Sequence, residues 1–286
     1  MVRSHRNSRS GVTLIEVLVA IFVMSIGLLC VLTLFVLGAQ RMATAFKDSA
    51  ATQCAVNARA FANIKGLRND SAVVAKFTGA DDSPSTAVFV DPAGQAGGNA
   101  VNGSNPSIPR VSPSYAPDNS GPNLPYFAIF DDITFQRGNG SPKFYGANLE
   151  REILYTWAYL VQRQRKSDAA STIVSTCVFQ RRPKAGQLEA TFSASMNTND
   201  NTITLTGATI DSLSPGAWVL DATPQVSGRN QIASFYRVTG VRDSGAGGVV
   251  LDLQSSLQGY PASTVTAGNV VVMDGLVEVF ELGTGR

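Results

Sequence analysis

Residues 17 to 39 form a run of 23 consecutive uncharged positions in which only Ser25 and Thr33 are polar, and this run limits the chain more than any other feature. As an α-helix it extends roughly 35 Å, enough to cross the ~30 Å hydrocarbon core of a bilayer. The leader before it, MVRSHRNSRSG, holds Arg3, Arg6 and Arg9 and no acid. Positive charge on that side keeps residues 1–11 in the cytoplasm and directs the remainder outward. A secretory signal carries its small-residue cleavage site after the apolar segment, whereas Gly11 stands before this one. Cleavage there leaves the apolar helix in the mature chain. Glu16 is a lone acid at the edge of that helix, costly in a bilayer and favoured by a helix N-terminus or a cation, so it marks a functional position.

Gly11, Thr13, Leu14, Ile15 and Glu16 resemble the cleavage and methylation motif of type IV prepilins and type II secretion pseudopilins. The likeness covers residues 1 to about 66 well and the remainder in outline. It implies that a prepilin peptidase cuts after Gly11 and methylates the new amino terminus at Val12, where most relatives have Phe. It implies that Glu16, the fifth mature residue, attracts the terminal amine of a neighbouring subunit during filament assembly. The family's partners are other pilin or pseudopilin subunits and an assembly platform in the inner membrane. Many major pilins have a kinking Pro where this chain has Thr33, and with Ser25 to Leu29 (SIGLL) that turns the likeness towards minor pilins of the PilV type.

The expected fold is α+β, with a long N-terminal helix packed on an antiparallel β-sheet and a small β module inserted in it. Met42, Phe46, Ala50, Cys54, Ala58, Phe61 and Ile64 recur at spacings of three and four, so the helix continues past the membrane to about Lys65, with Gly66 as its stop. The whole helix, 12–66, is then about 80 Å long. From 91 to 125, Pro, Gly, Ser and Asn fill 22 of 35 positions, which predicts loop with no regular element. The sheet falls within 67–186, with strands at Tyr126–Phe130, Ile153–Val161 and Ile173–Phe179; the start of a helix at Asn148–Glu152 is the rival to strand there. Residues 187–266 hold further strands at Thr202–Thr206, Ala217–Asp221, Ile232–Val241 and Gly248–Leu253, separated by their own Gly and Pro turns, and are expected to form the inserted module with its own core. Residues 267–286 return to the sheet, with Asp274-Gly275 as a break.

Without residues 1–11 the chain has 20 basic and 21 acidic residues in 275, so net charge selects no partner. The basic groups Arg163, Arg165, Lys166 and Arg181, Arg182, Lys184 read as solvated strand ends at opposite ends of a hairpin, which disfavours a nucleic-acid surface. The single His, His5, lies in the leader, which removes Ser-His-Asp and Cys-His catalysis and His-ligated metals from the mature chain. No cofactor, metal site or enzyme activity is expected. Asp81-Asp82 and Asp131-Asp132 read as solvated turns, Asn199-Asp200-Asn201 lacks the spacing of a calcium loop, and Asn102-Gly103-Ser104 matches a glycosylation sequon. Cys54 and Cys177 have two readings, a disulfide if the helix packs on the strand of Cys177, or two separate buried thiols. Two compatible functions are open: a filament subunit assembled through its helix, and an adhesin whose β module binds a surface, a protein or DNA.

Overall fold

A computed structural model describes residues 13–77, 87–91, 108–111, 144–145, 148–149, 154–163, 167–182, 189–210, 213–223, 233–245, 247–260 and 265–284. The chain divides into two compact units, residues 1–49 and 50–286. Helix α1 runs from Leu14 to Ile64. It ends where the sequence sets a stop, because Gly66 takes the left-handed backbone, φ 60°, that other residues avoid. A short turn at Leu67–Asn69 leads into α2, Ser71–Val74, whose N-terminal amides at Ala72 and Val73 donate to the Asp70 carboxylate.

In the second unit, α1 lies on one face of a five-stranded sheet. Its strands are β1 (Val88–Val90), β2 (Arg110–Val111), β5 (Tyr155–Gln162), β6 (Ile173–Gln180) and β13 (Leu276–Thr284), in the order β13-β6-β5-β1-β2. A separate two-stranded ribbon pairs β3 (Phe144–Tyr145) with β4 (Asn148–Leu149), so strand prevails over helix at Asn148. The sheet is antiparallel except for β1 beside β2, which is parallel. That β2 exists at all corrects the reading of 91–125 as structureless: Ile108 is fully buried and Arg110 is anchored by ion pairs described below. Tyr126–Phe130 lies outside the described residues.

The helix face against the sheet is Ala51, Cys54, Ala55, Ala58 and Ala62, a row of small residues at spacings of three and four. Small side chains let the backbone approach closely, and the volume is supplied from the sheet by Trp157, Tyr159 and Val161. The Tyr159 hydroxyl donates to the Ala58 carbonyl at 2.7 Å and accepts from the Trp157 indole N–H at 2.9 Å, so both polar atoms are satisfied inside the core. Of the expected stripe, Cys54 and Ala58 are buried in this core and Ala50 and Phe61 pack against it, whereas Ile64 is 81% exposed, Met42 60% and Phe46 64%.

On the opposite face of the sheet lies a closed six-stranded barrel. Its strands are β7 (Ala190–Asn197), β8 (Thr202–Thr206), β9 (Trp218–Asp221), β10 (Ser234–Asp243), β11 (Gly248–Leu253) and β12 (Val265–Met273), joined in the ring β10-β11-β8-β7-β12-β9. Met196, Leu205, Val219, Tyr236, Val238 and Leu251 fill it. Leu220, Val271 and Met273 point outward instead and pack on Phe89, Leu160, Cys177 and Phe179 of the sheet. Period-two alternation therefore gives the barrel wall two apolar faces, one for its own interior and one for the sheet. The expectation that the module keeps a core of its own thus holds only for its interior: Leu220, Trp218 and Phe235 belong to the cluster shared with the sheet.

The module also extends beyond residue 266. β12 pairs with β7 and β9 and completes the barrel, and only β13 returns to the sheet, beside β6. Asp274-Gly275 is the crossing between them. A glycine is needed there, since φ is 73° and an added Cβ would sit 2.6 Å from the Gln180 carbonyl oxygen, while the Gln180 N–H donates to the Gly275 carbonyl.

Candidate functional site

Glu16 sits in the first turn of α1, three residues after Thr13, whose carbonyl accepts from the Glu16 and Val17 amides. A carboxylate in that turn faces the positive end of the helix dipole. From there to Phe46 the apolar side chains are exposed, among them Leu18 at 59%, Phe22 at 66%, Leu29 at 63% and Phe35 at 76%. They lie on every side of the helix. The two hydroxyls of residues 17–39 bond back to their own helix: Ser25 Oγ donates to the Ile21 carbonyl at 2.7 Å and Thr33 Oγ1 to the Cys30 carbonyl at 2.8 Å. No hydroxyl of the span therefore needs water, which is the condition a hydrocarbon environment imposes. By length and composition this helix is able to cross a membrane.

Residues 6–38 match the family model of the Prokaryotic N-terminal methylation motif. The chain is type IV prepilin-like at its N-terminus. The methylation motif implies processing by a prepilin peptidase and assembly with other pilins, and proteins that carry it are structural subunits. Gly11 and Val12, where processing is expected, lie outside the described residues, as do Asp81-Asp82, Asp131-Asp132 and the Asn102 sequon. No curated protein and no solved structure matches the chain. The methylation motif thus accounts for the helix, and the body has to be read from its own geometry.

Cys54 and Cys177 form no disulfide. Cys54 belongs to the core between helix and sheet, Cys177 to the core between sheet and barrel, so the sheet itself separates them. Alternation along β6 decides this: the residues that meet the helix are Val174 and Val178, and Cys177 points the other way. Burial pushes the Cys177 thiol far above its ordinary pKa, which leaves it an inert apolar side chain.

Two buried polar clusters went unread in the sequence. Just after β1, Asp91 is fully buried and accepts from Arg182 through both guanidinium nitrogens, each at 2.9 Å, and from Arg110 at 3.0 Å. Glu189 completes the cluster, accepting from Arg110 and from Arg182 Nη2, the latter at 3.2 Å. The Arg182 guanidinium lies 4.4 Å from the centre of the Phe179 ring and that of Arg110 5.4 Å from Phe89. These four residues tie β1 and the edge strand β2 to the point where the chain leaves β6 for the barrel. Arg182 is therefore not a solvated strand end. Nor is Arg163, which donates to Thr172 Oγ1 and to the Arg68 carbonyl and stacks over Phe77. Arg165, Lys166 and Lys184 lie outside the described residues.

The second cluster closes one end of the barrel. Asp221 is in the inward register of β9 and fully buried, accepting from the Thr223 amide at 2.9 Å and from the Thr223 hydroxyl. The Tyr260 hydroxyl lies 2.7 Å from Asp221 Oδ2 and 2.9 Å from Thr223 Oγ1. Desolvation raises the Asp221 carboxyl above its usual range, against the three hydrogen bonds that lower it. Gly268 admits the Thr223 hydroxyl, since a Cβ there would lie 2.3 Å from it.

Where sheet and barrel diverge, at the end remote from the ion cluster, a cleft of about 570 Å³ opens. Ser175, Ile173, Val279 and Glu281 form its sheet side; Trp218, Phe235 and Arg237 stand on the barrel side, and Gln254 and Gln258 at the rim. Gln162 spans it, donating to the Ala233 carbonyl. The cleft was not legible in the sequence, because its two walls come from segments far apart in the chain.

Proposed function

We propose that this chain is a minor pilin or pseudopilin, closest in kind to PilV-type minor pilins. It waits in the inner membrane through residues 17–39 with its body outside the cytoplasm, is cut after Gly11 and methylated at Val12, and enters a filament through α1. Glu16 draws the terminal amine of a neighbouring subunit. The observation that carries the reading is the methylation motif joined to a helix whose apolar residues are exposed all round and whose hydroxyls bond to their own helix. Such a surface is covered by lipid before assembly and by other helices after it. Mass spectrometry of the purified N-terminus tests it. The expected species begins at N-methylated Val12, and Gly11→Ala blocks its formation; recovery of intact Met1 from assembled filaments would sink the prepilin reading.

A second reading, compatible with the first, is a filament-borne ligand-binding subunit. It is favoured by the cleft between sheet and barrel, which mixes aromatic rings with amides and hydroxyls on a body larger than a helix carrier needs.

A further inference from the structure

We infer that the cleft between the sheet and the barrel binds a short neutral oligosaccharide; this rests on the second reading above, that the body carries a ligand. Its size lies within the range of small-ligand pockets. The lining chemistry selects the class. Trp218 and Phe235 are half-buried, offering flat apolar ring surface at the cleft wall where the C–H face of a pyranose can rest. Around them stand Gln162, Gln254 and Ser175, whose amides and hydroxyl both donate and accept, as do the hydroxyls of a sugar.

The other ligand classes fit less well. Among the described residues the charged ones lining the cleft are Arg237 and Glu281, one of each sign, so neither a polyanion nor a polycation is favoured. A purely apolar ligand would strip water from the amides without replacing their hydrogen bonds. The Trp218 indole N–H donates to the Val277 carbonyl of β13 at 3.0 Å. That same bond holds the indole in place, so the ring is set before a ligand arrives. Arg237, the cross-strand partner of Trp218, lies 5.9 Å from its ring and brings a donor to the same rim.

The test uses the full chain in micelles of a zwitterionic detergent, which presents no sugar headgroup. Of the two tryptophans, Trp157 is 2% exposed, so acrylamide quenching of fluorescence reports on Trp218. The probes are maltotriose, cellotriose, chitotriose and N-acetyllactosamine, with a neutral decapeptide and heparin beside them. At least one saccharide should protect Trp218 from quenching in a saturable way, and the peptide and heparin should not. Gln254→Leu, at an exposed rim position, adds no tryptophan and should remove one amide from the cleft without touching the core, weakening saccharide binding by about tenfold, with unchanged thermal unfolding. No protection by any saccharide, or protection of undiminished affinity in Gln254→Leu, overturns the proposal. Protection by the decapeptide alone overturns the saccharide while keeping the ligand-binding reading. Loss of protection by every probe ends both, and the filament reading, judged by the N-terminal mass, is untouched by either result.

Discussion

Removing the Asp91 carboxylate should be among the most damaging single changes to the body. The wild-type cluster holds two carboxylates and two guanidinium groups, and the side chains of Asp91, Arg110 and Arg182 are 0%, 1% and 4% exposed, with Glu189 at 11%. Asp91→Ala removes three charge-assisted hydrogen bonds and leaves two buried cations sharing one acid. Hydrogen bonds to charged groups contribute about 1.5–3 kcal/mol each, but they are not additive within one network. Breaking a buried ion pair by deleting one partner costs about 3–5 kcal/mol, because the other charge stays behind without compensation. A loss in that range is a large share of the roughly 5–15 kcal/mol that holds a typical domain. Urea unfolding followed by the fluorescence of the buried Trp157 measures it. Combining Asp91→Ala with Arg182→Met should recover part of the loss, since the stranded charge goes too. The exposed pair Arg242–Asp252, with side chains 63% and 36% exposed, is the control, and Asp252→Ala should leave the midpoint nearly unchanged. If Asp91→Ala costs less than about 1 kcal/mol, the cluster is screened by water and the argument from burial fails.

Three further outcomes follow from the geometry. Desolvation raises the Asp221 carboxyl in the folded state, so the folded chain holds its proton more tightly than the unfolded one; this contribution favours folding at low pH and is lost as pH rises from about 3.9 through the folded value. Asp221→Asn removes the titration, and the melting temperature of the variant relative to wild type should climb across that window; a difference that stays flat with pH contradicts the assignment. Gly275→Ala should destabilise by about 2 kcal/mol or more, from left-handed backbone plus the clash with the Gln180 carbonyl, whereas Gly66→Ala, with φ 60° and open space, should cost about 1 kcal/mol; equal costs by chemical denaturation would show that the crossing relaxes. Glu16→Ala should leave membrane insertion and cleavage intact, because residues 17–39 span without it, while lowering incorporation into sheared filaments as read by immunoblot; equal incorporation would remove any role for the charge.

By itself the sequence determined what is local. The span of α1 and its stop at Gly66 were legible because apolar spacing, charge placement and a left-handed glycine act within a few residues of one another. Thr202–Thr206 and Gly248–Leu253 are strands at the bounds read from alternation between turn residues. The methylation motif was legible for the same reason. What the tertiary structure decided are relations between segments far apart. Alternation along β12 is the same whether its neighbour is β6 or β7, so only ring closure through β9 assigns Val265–Met273 to the barrel and leaves β13 alone in the sheet. The spacing of α1 placed Cys54 and Ala58 inward, but that Ala51, Ala55 and Ala62 share the buried face while Ile64 does not is decided by packing against Trp157 and Tyr159. Cys54 and Cys177 are both buried, yet the pleat of β6 puts a sheet between them. Arg182 and Arg110 look like surface charges until folding brings them to Asp91 and Glu189, because whether a charge is solvated depends on partners that sequence spacing does not reveal.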